Sequence, residues 1–94
     1  MAFDVESAVN RAQAYFERLK PQFGNEIEDL RLEEVERSED DLSWLITLGY
    51  SCPTKVSANP LLSDSPRIEY ERIYKVFAVN ASSGDVESVK IRKL

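Results

Sequence analysis

The sequence predicts an α+β domain of two layers, with one N-terminal helix packed on a four-stranded antiparallel sheet in the order α-β-β-β-β. Three observations lead there. Apolar residues near the N-terminus recur with a helical period. Later apolar residues alternate with polar ones, as in strands with one buried face. Near the C-terminus, "VFAVNASSGDVESVKI" (Val76 to Ile91) places a short turn cluster between two apolar-rich segments, the pattern of an antiparallel hairpin. A helix with a single apolar stripe must bury it, and one face of such a sheet is the available cover.

The helix is read from Val5, Ala8, Val9, Ala12, Phe16 and Leu19, which fall on one narrow face. Asp4 can accept a hydrogen bond from an unpaired N–H of the first turn, and Glu6 sits at the positive end of the helix dipole. Arg18 and Lys20 sit at the negative end, Pro21 is expected to stop the helix, and Gly24 and Asn25 provide a turn. The polar face mixes acids and bases, which suits packing on a core better than lying on a membrane.

In "IEDLRLEEVER" the alternation of Leu30 and Leu32 shifts phase to Val35, which suggests a strand with a bulge at Glu33 and Glu34. Ile27, Leu30 and Arg31 also fit helical spacing. Ser38 to Asp41 makes a turn. In "LSWLITLGY", Leu42, Trp44, Ile46, Leu48 and Tyr50 point one way, and Ser43, Leu45, Thr47 and Gly49 the other. From Ser51 to Arg67, Pro53, Pro60 and Pro66 are expected to prevent regular structure. A third strand runs from about Ile68 to Val79. Asn80 to Asp85 form the loop, with Gly84 taking the left-handed conformation that closes it. Val86 to Arg92 return as the fourth strand, so that Phe77, Val79, Val89 and Ile91 share the core.

Ninety-four residues suit a single domain spanning the whole chain, 1–94. A domain of that size buries only about 60–65% of its unfolded surface and has little stability to spare. Twelve basic residues against seventeen acidic ones give a net charge of −5, which repels a nucleic-acid backbone unless the few cations gather on one face; no nucleic-acid partner is expected. The N-terminal residues show no basic segment followed by an apolar run, and no apolar stretch approaches the roughly 20 residues of a membrane helix. With a single cysteine, Cys52, the expectation is a cytoplasmic protein away from membranes.

The segment "YKVFAVNASSGDVESVKI", Tyr74 to Ile91, resembles the hairpin of PepSY-like domains, in which an aromatic-rich strand meets an Asp/Asn-x-x-x-Gly turn followed by Val. Asn80, Gly84 and Val86 hold those positions. The helix-first order extends the likeness to small cystatin-like domains, where a helix packs on a curved antiparallel sheet. PepSY domains are mostly exported, whereas this N-terminus carries no export pattern. The Gln-Val-Val-Ala-Gly-type loop of inhibitory cystatins has no counterpart, since "QFGNE" at Gln22 to Glu26 is only a turn. The resemblance implies a non-catalytic domain that binds or regulates a partner.

The residue inventory points the same way. Without histidine the chain lacks the usual general base and the commonest metal ligand, and one Cys completes no standard zinc site. Gly24, Gly49 and Gly84 are too far apart for a phosphate-cradling loop. Cys52 has no activating neighbour in sequence. The expectation is a protein without enzymatic activity, cofactor or metal.

Three features qualify for binding. Glu26, Glu28, Asp29, Glu33, Glu34, Glu36, Glu39, Asp40 and Asp41 face only Arg31 and Arg37 in their segment, so Glu33, Glu36 and Asp40 are candidates for an acidic docking face. A solvated face that keeps the protein soluble accounts for the same residues. A calcium site at "SEDD" lacks the alternating ligands and glycine of the usual loop. In the Pro-broken loop, Leu61 and Leu62 are candidate anchors, with a plain crossover as the other reading. On the third strand, Tyr70, Tyr74 and Val76 alternate opposite Ile73, Phe77 and Val79 and form a candidate partner or homodimer stripe. The function expected is binding or regulating a macromolecular partner, or self-association. The alternative is a ligand-binding or enzymatic domain using a carboxylate in a sheet pocket.

Overall fold

The structure, a computed structural model, describes residues 4–22, 27–54 and 69–93. Helix α1 spans Val5–Leu19 and opens as expected, with the Ser7 N–H donating to Asp4 Oδ1 at 2.8 Å. That hydrogen bond holds the Asp4 carboxyl below its ordinary value. Pro21 does not end the helical path. One 3₁₀ turn, Lys20–Gln22, continues through it, a tolerable place because the tighter turn at a helix end demands few internal N–H donors.

Four strands follow: β1 Glu28–Arg37, β2 Ser43–Thr54, β3 Glu69–Asn80 and β4 Val86–Arg92. They form one sheet in sequence order, every neighbouring pair antiparallel. The α+β architecture expected from the periodicities is therefore the one found. The phase shift in the first strand is a real irregularity, since register slips between Leu32 and Glu34 and again between Glu28 and Arg31. The second slip contains Asp29 at φ 57°, a left-handed position that Asp tolerates better than most residues. The alternative helical reading of Ile27 to Arg31 fails because Leu30 is drawn onto the core from an extended chain.

Ala8, Ala12 and Phe16 of α1 have no exposed surface, and they meet Ile46, Leu48 and Tyr50 of β2 and Phe77 and Val79 of β3. The alanines let the helix backbone approach the sheet, and Phe16 fills the space beyond them. Its ring lies 5.3 Å from that of Tyr50 and 6.4 Å from that of Phe77, centroid to centroid, both within the range of favourable aromatic pairs. Val9 packs partly, whereas Val5 is exposed at the first turn.

Three other expectations need correction. Leu42 is exposed in the turn before β2 and takes no part in the core. There Asp41 sits at φ 59° and the Arg37 guanidinium lies 4.5 Å from the centre of the Trp44 ring, covering that end of the core. Ile91 is 68% exposed, because it lies on the edge strand opposite Lys75, outside the cluster under the helix. Ser51–Thr54 was expected to be irregular but extends β2, with Pro53 paired to Tyr70. Pairing with β1 ends at Ser51. Among the described residues the outer side of β2 then has no neighbour that needs a donor, and proline is tolerated there. The remainder of the Pro-broken segment, Leu61 and Leu62 included, and the expected turn at Gly24 and Asn25 lie outside the described residues.

Candidate functional site: the open face of the sheet

Opposed residues in an antiparallel pair share a face, so the register assigns the side of the sheet away from α1. It carries the rows Glu36–Leu45–Ala78–Ser88, Glu34–Thr47–Val76–Lys90 and Arg31–Gly49–Tyr74–Arg92, each running from β1 to β4. The middle strands thus supply small and apolar side chains, and the outer strands supply charge. Carboxylates predominate on β1, where Arg31 is the exception, and cations gather on β4.

Among the described residues no helix lies over this face, yet Thr47 is only 3% exposed and Gly49 is buried. Two arginines explain both. Arg92 reaches across from β4, donating to Thr47 Oγ1 at 3.2 Å and pairing with Glu34 of β1 at 2.8 Å. Arg72 donates to Ser51 Oγ, to the Asp29 carbonyl and, at 2.7 Å, to Glu33 Oε1. Asp29 also pairs with Arg31, whose guanidinium holds the Asp29 carboxyl below its ordinary value. Charged side chains laid flat across the strands therefore roof part of the sheet.

Gly49 belongs to this arrangement. A Cβ built there would lie 2.8 Å from Cγ of Glu33, so the Glu33 side chain occupies the space that the missing side chain leaves. Gly49→Ala is expected to lower stability by on the order of 1 kcal/mol by displacing Glu33 from Arg72, despite alanine's gain in backbone entropy. In a Glu33→Ala background the same change should be neutral or stabilising. Urea denaturation of the four proteins of this cycle measures the coupling, and additive effects would show that the contact does not matter.

Beside the roofed region the face hollows into a trough of about 490 Å³. Leu45, Val76 and Ala78 form its floor, Glu36 stands on the β1 bank, and Ser88, Lys90 and Lys93 stand on the β4 bank. A larger hollow of about 790 Å³ lies past the end of the helix, lined by Gln22, Tyr50, Ile73, Lys75 and Ile91 among others; its carboxylate, Glu71, is exposed.

The three acidic candidates do not form one patch. Glu33 is engaged with Arg72 over Gly49, while Glu36 is exposed on the bank of the trough. Asp40 lies in the β1–β2 turn and accepts from Ser38 Oγ at 2.6 Å and the Leu42 N–H at 3.0 Å, bonds that hold its carboxyl below the ordinary value. Among the described residues no group of three or more Cys, Asp or Glu side chains is arranged to hold a metal ion, and no helix is long and apolar enough to cross a membrane. Tyr74 lies on the open face, half-buried between Gly49 and Arg92. Tyr70 shares that side further along β3 and is 52% exposed. Cys52 faces the other way, and burial pushes its thiol up, with Glu71 adding to the effect.

Sequence reasoning did not single out Arg72, Arg92, Thr47 or Gly49. The signal for Gly49 was present, since a glycine inside a strand of bulky residues marks a close approach. The arginines carry no such mark, because their partners lie on other strands. No family model, no curated protein and no solved structure matches the chain.

Proposed function

We propose that the protein is a small non-catalytic binding domain that seats a protein partner on the open face of its sheet. The observation that carries this reading is the trough, an apolar floor of Leu45, Val76 and Ala78 between a carboxylate bank and a cationic bank, on the side that α1 leaves uncovered. An apolar centre with a charged rim is the usual anatomy of a protein-binding patch. The resemblance of the Tyr74 to Ile91 hairpin to PepSY-like domains supports the same class of function. The acidic β1–β2 turn lies at the Glu36 end of the trough, where Glu39, Asp40 and Asp41 are exposed and can steer a basic rim into place.

Val76→Arg puts a charge on the floor of the trough without touching the helix-covered core. Immobilised parent and variant proteins, matched for circular dichroism, are compared for the proteins they retain from lysate. The expected result is a protein retained by the parent and lost by Val76→Arg. Retention unaffected by both Val76→Arg and Leu45→Arg would sink the open-face reading.

A further inference from the structure

We infer that the occupant of the open face is a second copy of this chain, packed face to face about a two-fold axis parallel to the strands; this rests on the open-face reading above. Charge is distributed unevenly across the sheet. Glu34 and Glu36 stand on β1, Lys90 and Arg92 on β4, and the strands between them present Leu45, Val76 and Ala78.

Two copies placed open face to open face have two simple ways to obey a two-fold axis in the plane between them. An axis across the strands sets β1 on β1 and β4 on β4, bringing like charges together. An axis along the strands sets β1 of each copy over β4 of the other, and β2 over β3. Each level of the sheet then meets its own level in the partner. The Glu34 level brings carboxylate over Lys90, and Val76 over the Arg92 guanidinium that covers Thr47. The adjoining level brings Leu45 over Ala78, a large side chain onto a small one, and leaves Glu36 one pleat from Lys90 of the other copy. The Arg31 level sets Arg31 over Arg92, but each is already paired with a carboxylate of its own chain, Asp29 and Glu34. The balance of the remaining charge is complementary under this axis and repulsive under the other, as an isologous dimer requires.

The charges available for this exchange are specific. Glu34 and Arg92 already pair within the chain, whereas Glu36 and Lys90 are exposed and make no ion pair among the described residues. A four-stranded face of roughly 19 by 24 Å removes about 1,000 Å² of surface in a pair, the low end for specific interfaces. The dimer is accordingly expected to be weak, dissociating at about micromolar concentrations or above, and weaker still in high salt.

Sedimentation equilibrium on the whole chain tests this. The parent should show a concentration-dependent dimer at low salt. Glu36→Lys alone and Lys90→Glu alone should each raise the dissociation constant at least about tenfold, because each sets like charges opposite one another twice. An equimolar mixture of these two single variants should recover association in large part, since position 36 of each copy again meets position 90 of the other with opposite charge, and the Glu34 that faces the new carboxylate is already paired with Arg92 of its own chain. That recovery cannot arise from misfolding. A parent that stays monomeric up to about millimolar concentration at low salt overturns the inference, as does a dimer indifferent to both reversals. If the parent is monomeric yet a different protein is still lost through Val76→Arg, the second copy is rejected while the open-face reading stands. If Val76→Arg affects neither association nor retention, both fall.

Discussion

Replacing Phe16 with alanine is expected to lower the unfolding free energy by about 3–5 kcal/mol. Phe16 has no exposed surface and packs against two aromatic residues of the sheet, Tyr50 and Phe77. Its neighbours on the helix stripe are Ala8 and Ala12, which have no side-chain length with which to fill the void. The cavity would therefore stay open, and large-to-small changes cost most where the site cannot collapse. For a domain whose total stability is expected to be roughly 5–10 kcal/mol, the loss should be plain in a urea titration as a fall in midpoint at nearly constant slope. A change within error would mean that α1 is not held by this residue.

Gly84→Val should produce the second largest loss, about 2 kcal/mol. Gly84 has φ 77° and is buried in the β3–β4 loop. Its N–H donates to the Asn80 carbonyl at 2.9 Å, and the Asn80 N–H donates to the Asp85 carbonyl at 2.8 Å. The Asn80 side chain meanwhile accepts from the N–H groups of Ser82 and Ser83. The loop is thus fixed from both sides, and a β-branched residue cannot relax to negative φ without breaking it. Gly84→Asn, which tolerates the left-handed region, should lose clearly less. Equal losses in thermal melts of the two variants would show that burial, and not the backbone angle, sets the requirement.

Much of this architecture is legible in the chain because it depends on local periodicity. Val86 to Arg92 reads as a strand and is one, and the Asn80 to Gly84 turn follows from residues whose preferences are set within five positions. The opposed faces of β2 and β3 also follow from alternation alone. What alternation could not supply is what lies above each face. Thr47 and Gly49 fall on the uncovered side, where solvent was expected, but Arg92 and Glu33 arrive there from other strands. Glu33 likewise reads as a free surface carboxylate until Arg72, far along the chain, is brought beside it. Ile91 shows the opposite error, since its place in the alternation is correct and the helix does not extend over it. Pro53 reads as a breaker of structure because the width of the sheet at that point is not written in the sequence.

That width changes along the length of the β2–β3 hairpin. At Gly49 and Tyr74 the pair is flanked on both sides, and at Ser51 and Arg72 only by β1. From Cys52 to Thr54, opposite Glu69 to Glu71, no other strand of the described residues stands beside the two. An isolated two-stranded ribbon is marginally stable in water. The outer rungs can therefore open and close while the helix-covered rungs at Ile46 and Phe77 stay shut, and separation of the inner rungs requires unfolding the whole domain. One continuous ladder thus grades from a frayed tip to a locked base, and the same peptide hydrogen bond resists opening to a degree set by how many strands stand beside it.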